Sequence, residues 1–342
     1  MRSHRVPGVT GGHPDPDLRM NAGKGGREVP SSQLPREGEL PAVLGQAQSD
    51  KAPHISVCVC TYQRPTLLEH LLRTLRHQRT DGLFTYSVVV VDNDVAQSAR
   101  QVVIEADEGL ESIGYWVEPT RNIAMARNKA VQSAVGDFVA FIDDDEFPVP
   151  DWLYHAYRTC LAYGADAVLG PVKPQFETPP PSWVVKGGLF ERPSYPTGTV
   201  LAWHNTRTGN VLLKRSLFET HLFRPEFRHS EDQDFFKRIM QAGHVAVWCD
   251  DATVFEVQRP ERFRVAYFLK RALLRGNVSL KLQPHPLLMA AKSSVALMIY
   301  TLLLPVFAVV RHDLFIKFLI KECDHIGKLM AACRIDIQKY LA

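Results

Sequence analysis

Four consecutive acids, Asp143, Asp144, Asp145 and Glu146, follow a short apolar run, and a second acidic group, Glu231, Asp232 and Asp234, opens a segment with helical spacing. Carboxylates crowded at the end of a buried strand repel one another and lose solvation. A hard divalent cation bound through oxygen relieves both costs. In an extended segment alternate side chains point the same way, so Asp143 and Asp145 can address one metal ion while Asp144 turns aside or meets a ribose. A solvated acidic turn, or an N-cap for a helix near Asp151, is the plainer alternative. In the second group, a carboxylate entering a helix start can serve as general base beside an acceptor hydroxyl. Capping that helix start is compatible with the same role.

Three smaller groups complete the chemistry. Asp92, with Asn93 and Asp94 after it, ends an apolar run and can accept hydrogen bonds from a base edge with Thr61 and Tyr62 beside it; an Asx-turn is the alternative. Arg121 and Arg127 flank small residues at a helix start, where they can meet phosphates or simply face solvent. Glu256 is a further candidate ligand on the metal or phosphate side.

These residues need a frame that brings strand ends together. Residues 55–60 read as a buried strand, followed by a helix opening at Pro65. Residues 86–92 form a strand apolar on both faces, hence central in a parallel sheet. A helix is expected near 96–107, a strand at 113–117, a helix over 123–135 and a strand over 137–142. Strands alternating with helices predict a doubly wound α/β domain whose ligands bind beyond the carboxyl ends of the strands. Residues 171–196 read as a long Pro-rich loop. A strand at 209–214, a helix at 232–242 and a strand at 244–249 follow. Neither a GxGxxG nor a GxxxxGK[ST] pattern follows the first strand, which disfavours a dinucleotide site or a P-loop.

With 40 basic and 37 acidic residues, the net charge of +3 makes no case for nucleic-acid binding. The six cysteines form no CxxC pair, and Cys58 and Cys60 share a strand face as ordinary thiols, which fits a reducing cytosol. Residues 1–53 are rich in Gly and Pro, are read as a disordered tail, and contain no apolar run of signal-peptide type; Met20 is a second possible start. Residues 287–310 are long and apolar enough, at about 1.5 Å per residue, to cross a hydrocarbon core of about 30 Å. Lys292, Ser293 and Ser294 interrupt this stretch and Pro305 would kink it. Basic residues flank both ends: Lys270, Arg271, Arg275 and Lys281 before, Arg311, Lys317 and Lys321 after. A single span would put one basic flank outside, against the positive-inside tendency. A re-entrant or in-plane helix on the cytoplasmic leaflet is therefore expected, with the amphipathic stretch 313–330 beside it. A buried helix pair is the alternative.

The sequence resembles the family 2 glycosyltransferases of the GT-A fold. The matching pieces are CTYQRP over residues 60–65, VDND over 91–94, ARN over 126–128, FIDDDE over 141–146 and EDQD over 231–234. They cover roughly residues 54–256, and the sequence looks closest to the exopolysaccharide-assembly branch related to succinoglycan glycosyltransferases. The resemblance implies a mostly parallel, doubly wound sheet flanked by helices over 54–257 and a helical, membrane-associated extension over 258–342. It also implies inverting transfer from a nucleotide-diphosphate sugar, a UDP-sugar foremost, to a glycan or lipid-linked acceptor, with Mg2+ or Mn2+. Thr61, Tyr62, Arg64, Asp92, Arg127 and Asp144 would then face the nucleotide sugar. Asp143, Asp145 and Glu256 would hold the metal, and Asp232, or else Glu231, would be the base. Gln63 stands where the family usually has Asn, Ile123 where many members have Gly, and Glu256 where many have His. A nucleotidyltransferase would need a Gly-rich basic loop after the first strand, which is missing. An inactive nucleotide-sugar-binding or membrane-scaffolding protein would not need acids at both sites.

Overall fold

A computed structural model of the chain describes residues 52–107, 112–227, 230–283 and 285–337. The tail expected over 1–53 lies, except for Ala52 and Pro53, outside them. In chain order the elements are β1 (His54–Thr61), α1 (Pro65–Leu75), β2 (Thr85–Asp92), α2 (Arg100–Asp107), β3 (Ile113–Val117), α3 (Ile123–Ser133), β4 (Phe138–Phe141), β5 (Glu146–Pro148), α4 (Trp152–Tyr163), β6 (Ala167–Leu169) and β7 (Val172–Phe176). They continue with α5 (Ser182–Gly187), β8 (Val211–Lys214), α6 (Glu231–Gln241), β9 (Ala246–Trp248), β10 (Val254–Gln258), α7 (Val265–Lys281), α8 (Pro286–Val310) and α9 (His312–Ala332).

Seven strands form one sheet in the order β3-β2-β1-β4-β8-β6-β9. Only the two pairings of β8 are antiparallel; β1–β2, β2–β3, β1–β4 and β6–β9 are parallel. Because strand side chains alternate between faces, Ile55, Val57 and Val59 join Val88 and Val90 on one side, where they pack with Leu68, Leu71 and Leu72 of α1 and Trp152 of α4. Cys58, Val89, Val91 and Phe141 face the other way, against Ala124, Ala126 and Ala130 of α3 and Phe235 of α6. Both faces are covered, as the apolar strands require.

Three expectations are corrected. The second helix begins at Arg100 rather than near Ala96, because the Asp92 carboxylate accepts from the backbone N–H of Asp94 at 3.0 Å and of Ala99 at 2.8 Å and holds 93–99 as a turn. The stretch 171–196 is not wholly loop: it contains β7 and α5. β7 is an edge strand of a second sheet, β5-β10-β7, and an edge tolerates Pro174, which has no N–H to give. The acidic run is not extended either. The Glu146 N–H donates to the Asp143 carbonyl at 3.0 Å, closing a turn over 143–146, so the alternation argument for Asp143 and Asp145 does not hold there.

Candidate active site

The order of the large sheet reverses at β1, which has β2 on one side and β4 on the other. Open α/β sheets bind ligands in the crevice at such a switch point. The exits of β1 and β4 meet there. The Thr61 hydroxyl and Arg64 Nη1 each donate to the Asp144 carboxylate at 2.8 Å, and the same Arg64 nitrogen lies 3.4 Å from Asp145. Burial pushes the Asp144 carboxyl up to about 6, opposed by Arg64 and by the Thr61 hydrogen bond.

The second sheet brings in the third element. In the antiparallel β5–β10 pair Glu146 stands directly opposite Glu256, an arrangement of like charges that destabilises unless cations intervene. Arg262, on the segment leading into α7, donates to Asp145 Oδ2 at 2.8 Å and to Glu256 Oε1 at 3.1 Å, and Arg192 donates to the other Glu256 oxygen. Glu146 has no such contact, although the nearby charge of Arg192 opposes the rise of its pKa. It is buried, has no ion-pair partner among the described residues, and accepts from the Asp143 backbone N–H at 3.1 Å. Burial, with the charges of Asp143 and Glu256, pushes its carboxyl well above the ordinary range. The Gly209 backbone closes over this pair: a Cβ there would lie 2.7 Å from Glu146 Oε1 and 3.1 Å from Asp143 Oδ2.

Arg127 joins this cluster to the second acidic group. Asn122 caps α3, its side chain accepting from Ala124 N at 2.9 Å and Met125 N at 3.3 Å, and the small residues of α3 let it sit close to β1 and β2. That packing turns Arg127 inward. Its buried guanidinium donates to Glu231 and lies 3.5 Å from Asp143. Burial pushes the Glu231 carboxyl up to about 7 against the pull of Arg127, with the Asp232 charge adding to the rise. Asp232 is partly exposed, has no ion-pair partner among the described residues, and accepts from Gln233 N–H at 2.7 Å. Asn128 anchors the segment before α6, donating to Phe223 O at 2.8 Å and accepting from Phe223 N at 2.9 Å. His229, beside this group in sequence, lies outside the described residues.

The remaining expected residues stand nearby with distinct partners. Asp92 is fully buried, and besides its two backbone donors it accepts from the Tyr115 hydroxyl at 2.9 Å. These bonds take three of about four acceptor positions on the carboxylate. Tyr62 carries the Arg121 guanidinium 4.7 Å above its ring. Cys60 lies near the acids, but burial pushes its thiol up to about 12, so it holds no nucleophilic thiolate at neutral pH.

Sequence reasoning named Glu146 in the acidic run without giving it a ligand or base role, and left out Arg192, Arg207 and Arg262. Arg207 is the most unusual of these: its Nε is buried without a hydrogen-bond partner. Burial and Arg192 lower its pKa to about 10, opposed by Glu146 and Glu256. Of these arginines only Arg262 sits among clustered basic residues, with Arg259 and Arg264 close by in the chain.

No three His, Cys, Asp or Glu side chains converge as a ready-made metal cage among the described residues. Arginines hold Asp145 and Glu256, whereas Asp143 keeps 48% of its side chain exposed beside the unpaired, buried Glu146. All these donors are carboxylate oxygens, so the residues fit a hard divalent cation.

The sequence profile of Glycosyl transferase family 2 matches residues 56–229. The succinoglycan biosynthesis protein ExoM of Rhizobium meliloti is 35% identical over 254 residues, covering 70% of this chain and 76% of that protein. The putative glycosyltransferase EpsH of Bacillus subtilis is 25% identical over 203 residues, 54% of this chain and 55% of its own length. Among solved structures, the mannosyltransferase PcManGT from Pyrobaculum calidifontis, in complex with GDP-Man and Mn2+, shares the fold with a TM-score of 0.58 at 19% identity, over 83% of this chain and 88% of that one. With its GT-A fold and this profile match, the chain belongs to glycosyl transferase family 2 and is a glycosyltransferase.

Proposed function

We propose that the protein transfers a sugar from a nucleotide-diphosphate sugar, a UDP-sugar foremost, to a hydroxyl of a lipid-linked or polysaccharide acceptor during exopolysaccharide assembly, in one inverting displacement. The similarity to ExoM supports the setting. One observation carries the chemistry: Arg127 bridges Asp143 of the first acidic group and Glu231 of the second, so the two groups share one site.

In this reading Thr61, Tyr62 and Arg64 receive the nucleotide, Asp144 meets its ribose, and Asp92 shapes the 92–99 turn beneath the base. The acceptor oxygen attacks the anomeric carbon, the bond from that carbon to the diphosphate oxygen breaks, and the hydroxyl proton passes to Asp232. Asp232 suits this role better than Glu231 because Glu231 is tied to Arg127, while Asp232 is partly exposed with no cation paired to it. Mg2+ or Mn2+ on Asp143 and Asp145, with Glu256 as the further ligand, would supply charge neutralisation for the departing diphosphate. Arg127 also lies within reach of that diphosphate. Residues 54–257 form the catalytic domain in this scheme, and 258–342 bring it to the cytoplasmic face of the membrane.

The test is transfer and hydrolysis over a panel of nucleotide sugars, with and without EDTA, with the product anomer read by NMR. One donor consumed in a metal-dependent way, with the anomer inverted, supports the proposal. A retained anomer or activity indifferent to EDTA overturns the corresponding part.

A further inference from the structure

From Val295 onward the helix α8 is apolar over most of its surface but is covered by protein on one side only. Its inner face meets α9: Tyr300 lies 5.3 Å and Phe307 4.6 Å from the Phe318 ring, and Ser293 is buried. The opposite face carries Val295, Ile299, Leu302, Val306 and Val309 at spacings of four and three, a continuous stripe along the helix. All five are exposed, Leu302 at 72% and Val309 at 88%. Of the residues of α8 only Ser293 is fully buried. A helix packed on a soluble domain presents polar residues outward; this one presents Val, Ile and Leu.

The helix is long enough to span a bilayer, yet its neighbours forbid that orientation. Helix α9 runs back along α8, and the Glu322 carboxylate accepts from the Thr301 hydroxyl at 2.6 Å while Lys321 Nζ lies 5.9 Å from the Tyr300 ring. Thr301 is only about 5 Å from the midpoint of α8 at 1.5 Å per residue. A spanning α8 would carry Lys321 and Glu322 to the bilayer centre, where charged side chains are strongly disfavoured. Nor can α9 stay behind. Arg275 of α7 donates to Asp324 at 2.8 Å, and Gly276 and Gly327 set α7 and α9 in direct backbone contact. Helix α7 in turn is tied to α6 by Lys237 Nζ on the Leu282 carbonyl at 2.7 Å.

Charge composition favours an anionic partner for this segment. Residues 265–332 contain nine Lys or Arg and three Asp or Glu, a net +6 in a chain whose total is +3, so the remainder is net negative. We infer that α8 is an in-plane anchor: its outer stripe sinks into the interface of an anionic membrane, α9 backs it, and the basic residues of α7–α9 meet the headgroups. The active site adjoins this platform, since Arg262, which holds Asp145 and Glu256, lies three residues before the start of α7. The inference takes up the membrane reading above and adds its geometry; its test reads vesicle binding and depth, not sugar transfer.

The full chain is mixed with phosphatidylcholine vesicles, with and without phosphatidylglycerol, and bound protein is separated by flotation. Binding that rises with phosphatidylglycerol is expected. Leu302→Glu with Val306→Glu, which alters no protein contact named here, should cut partitioning about tenfold or more and leave the circular dichroism spectrum unchanged. For depth, Val295→Cys, Leu302→Cys and Val309→Cys, each in a Cys333→Ser background, carry a fluorophore quenched by lipids brominated at known positions. Equal, shallow depths at all three establish the in-plane anchor. A deep Leu302 between shallow ends, or labels protected from opposite sides, would show a span and overturn it. Folded protein that ignores both vesicle types, or a detergent-free dimer that hides the stripe, would remove the membrane itself.

Discussion

Glu231 and Asp232 are adjacent carboxylates with different surroundings, and the difference assigns their work. Glu231 is buried against Arg127, whereas Asp232 is partly exposed in the first turn of α6 and accepts from the Gln233 N–H. Asp232→Asn should lower kcat by about 10²-fold or more while calorimetry finds donor affinity unchanged. Equal loss of affinity would move Asp232 into the donor site. Burial raises both carboxyls, Glu231 to about 7. A base must be ionised, and burial raises the Asp232 carboxyl, so kcat/KM should fall as pH drops at a point above the ordinary carboxylate range, a limb measurable in a pH–rate profile. The limb should vanish or move in Asp232→Asn. Asp143→Ala should abolish transfer and Mn2+ binding with the circular dichroism spectrum intact; retained Mn2+ affinity would remove Asp143 from the ligand set.

At the scale of elements, two close approaches decide the geometry. Gly209, just before β8, leaves room for the Glu146 and Asp143 carboxylates, so Gly209→Ala must displace one of them. Turnover should fall about tenfold or more with little change in melting temperature, since the strain falls on side chains that can move. Gly276 meets a backbone instead: a Cβ there would lie 2.0 Å from the Asp324 carbonyl oxygen. Alanine gains about 1 kcal/mol in helix propensity over Gly, but forcing two packed helices apart costs about 1–3 kcal/mol. Gly276→Ala should therefore be neutral to destabilising, with the largest loss of hydrogen-exchange protection in α7 and α9; clear stabilisation would mean the helices separate freely. Gln63 has φ of 53°, a left-handed conformation that Asn tolerates better than Gln, which gives a physical reason for the Asn usual in the family at this position.

Over the whole molecule, charge is segregated. The net +6 of residues 265–332 is confined to the three C-terminal helices, and the remainder is net negative. Exposed charges lose their attraction beyond a Debye length of about 8 Å at physiological salt. Vesicle binding should therefore weaken as salt is raised, but a salt-resistant fraction should persist through the apolar stripe of α8. Binding abolished by salt alone would assign the contact to the basic rim and leave the stripe without a role.

The strand and helix order over residues 54–142, with β8, α6 and β9 beyond it, was legible because apolar periodicity and strand-end acids are local features: β1, β2, β3, α3 and α6 lie within a few residues of where their patterns put them, whereas β5, β6 and β10 were not read. The two acidic groups, the basic flanks and the apolar stretch of α8 were legible for the same reason. Partnerships across the chain were not. Nothing local to Arg127 announces that it joins Asp143 to Glu231, and Arg192 reaches Glu256 only because β10 lies between β5 and β7. The extended reading of 143–145 failed because one backbone hydrogen bond, Glu146 to Asp143, favours a turn over continued strand. The sequence by itself determined which residues carry charge and apolar surface, since those are properties of side chains. Only the tertiary structure decided which charges neutralise one another and which face of α8 is left bare, since both depend on contacts between segments far apart in the chain.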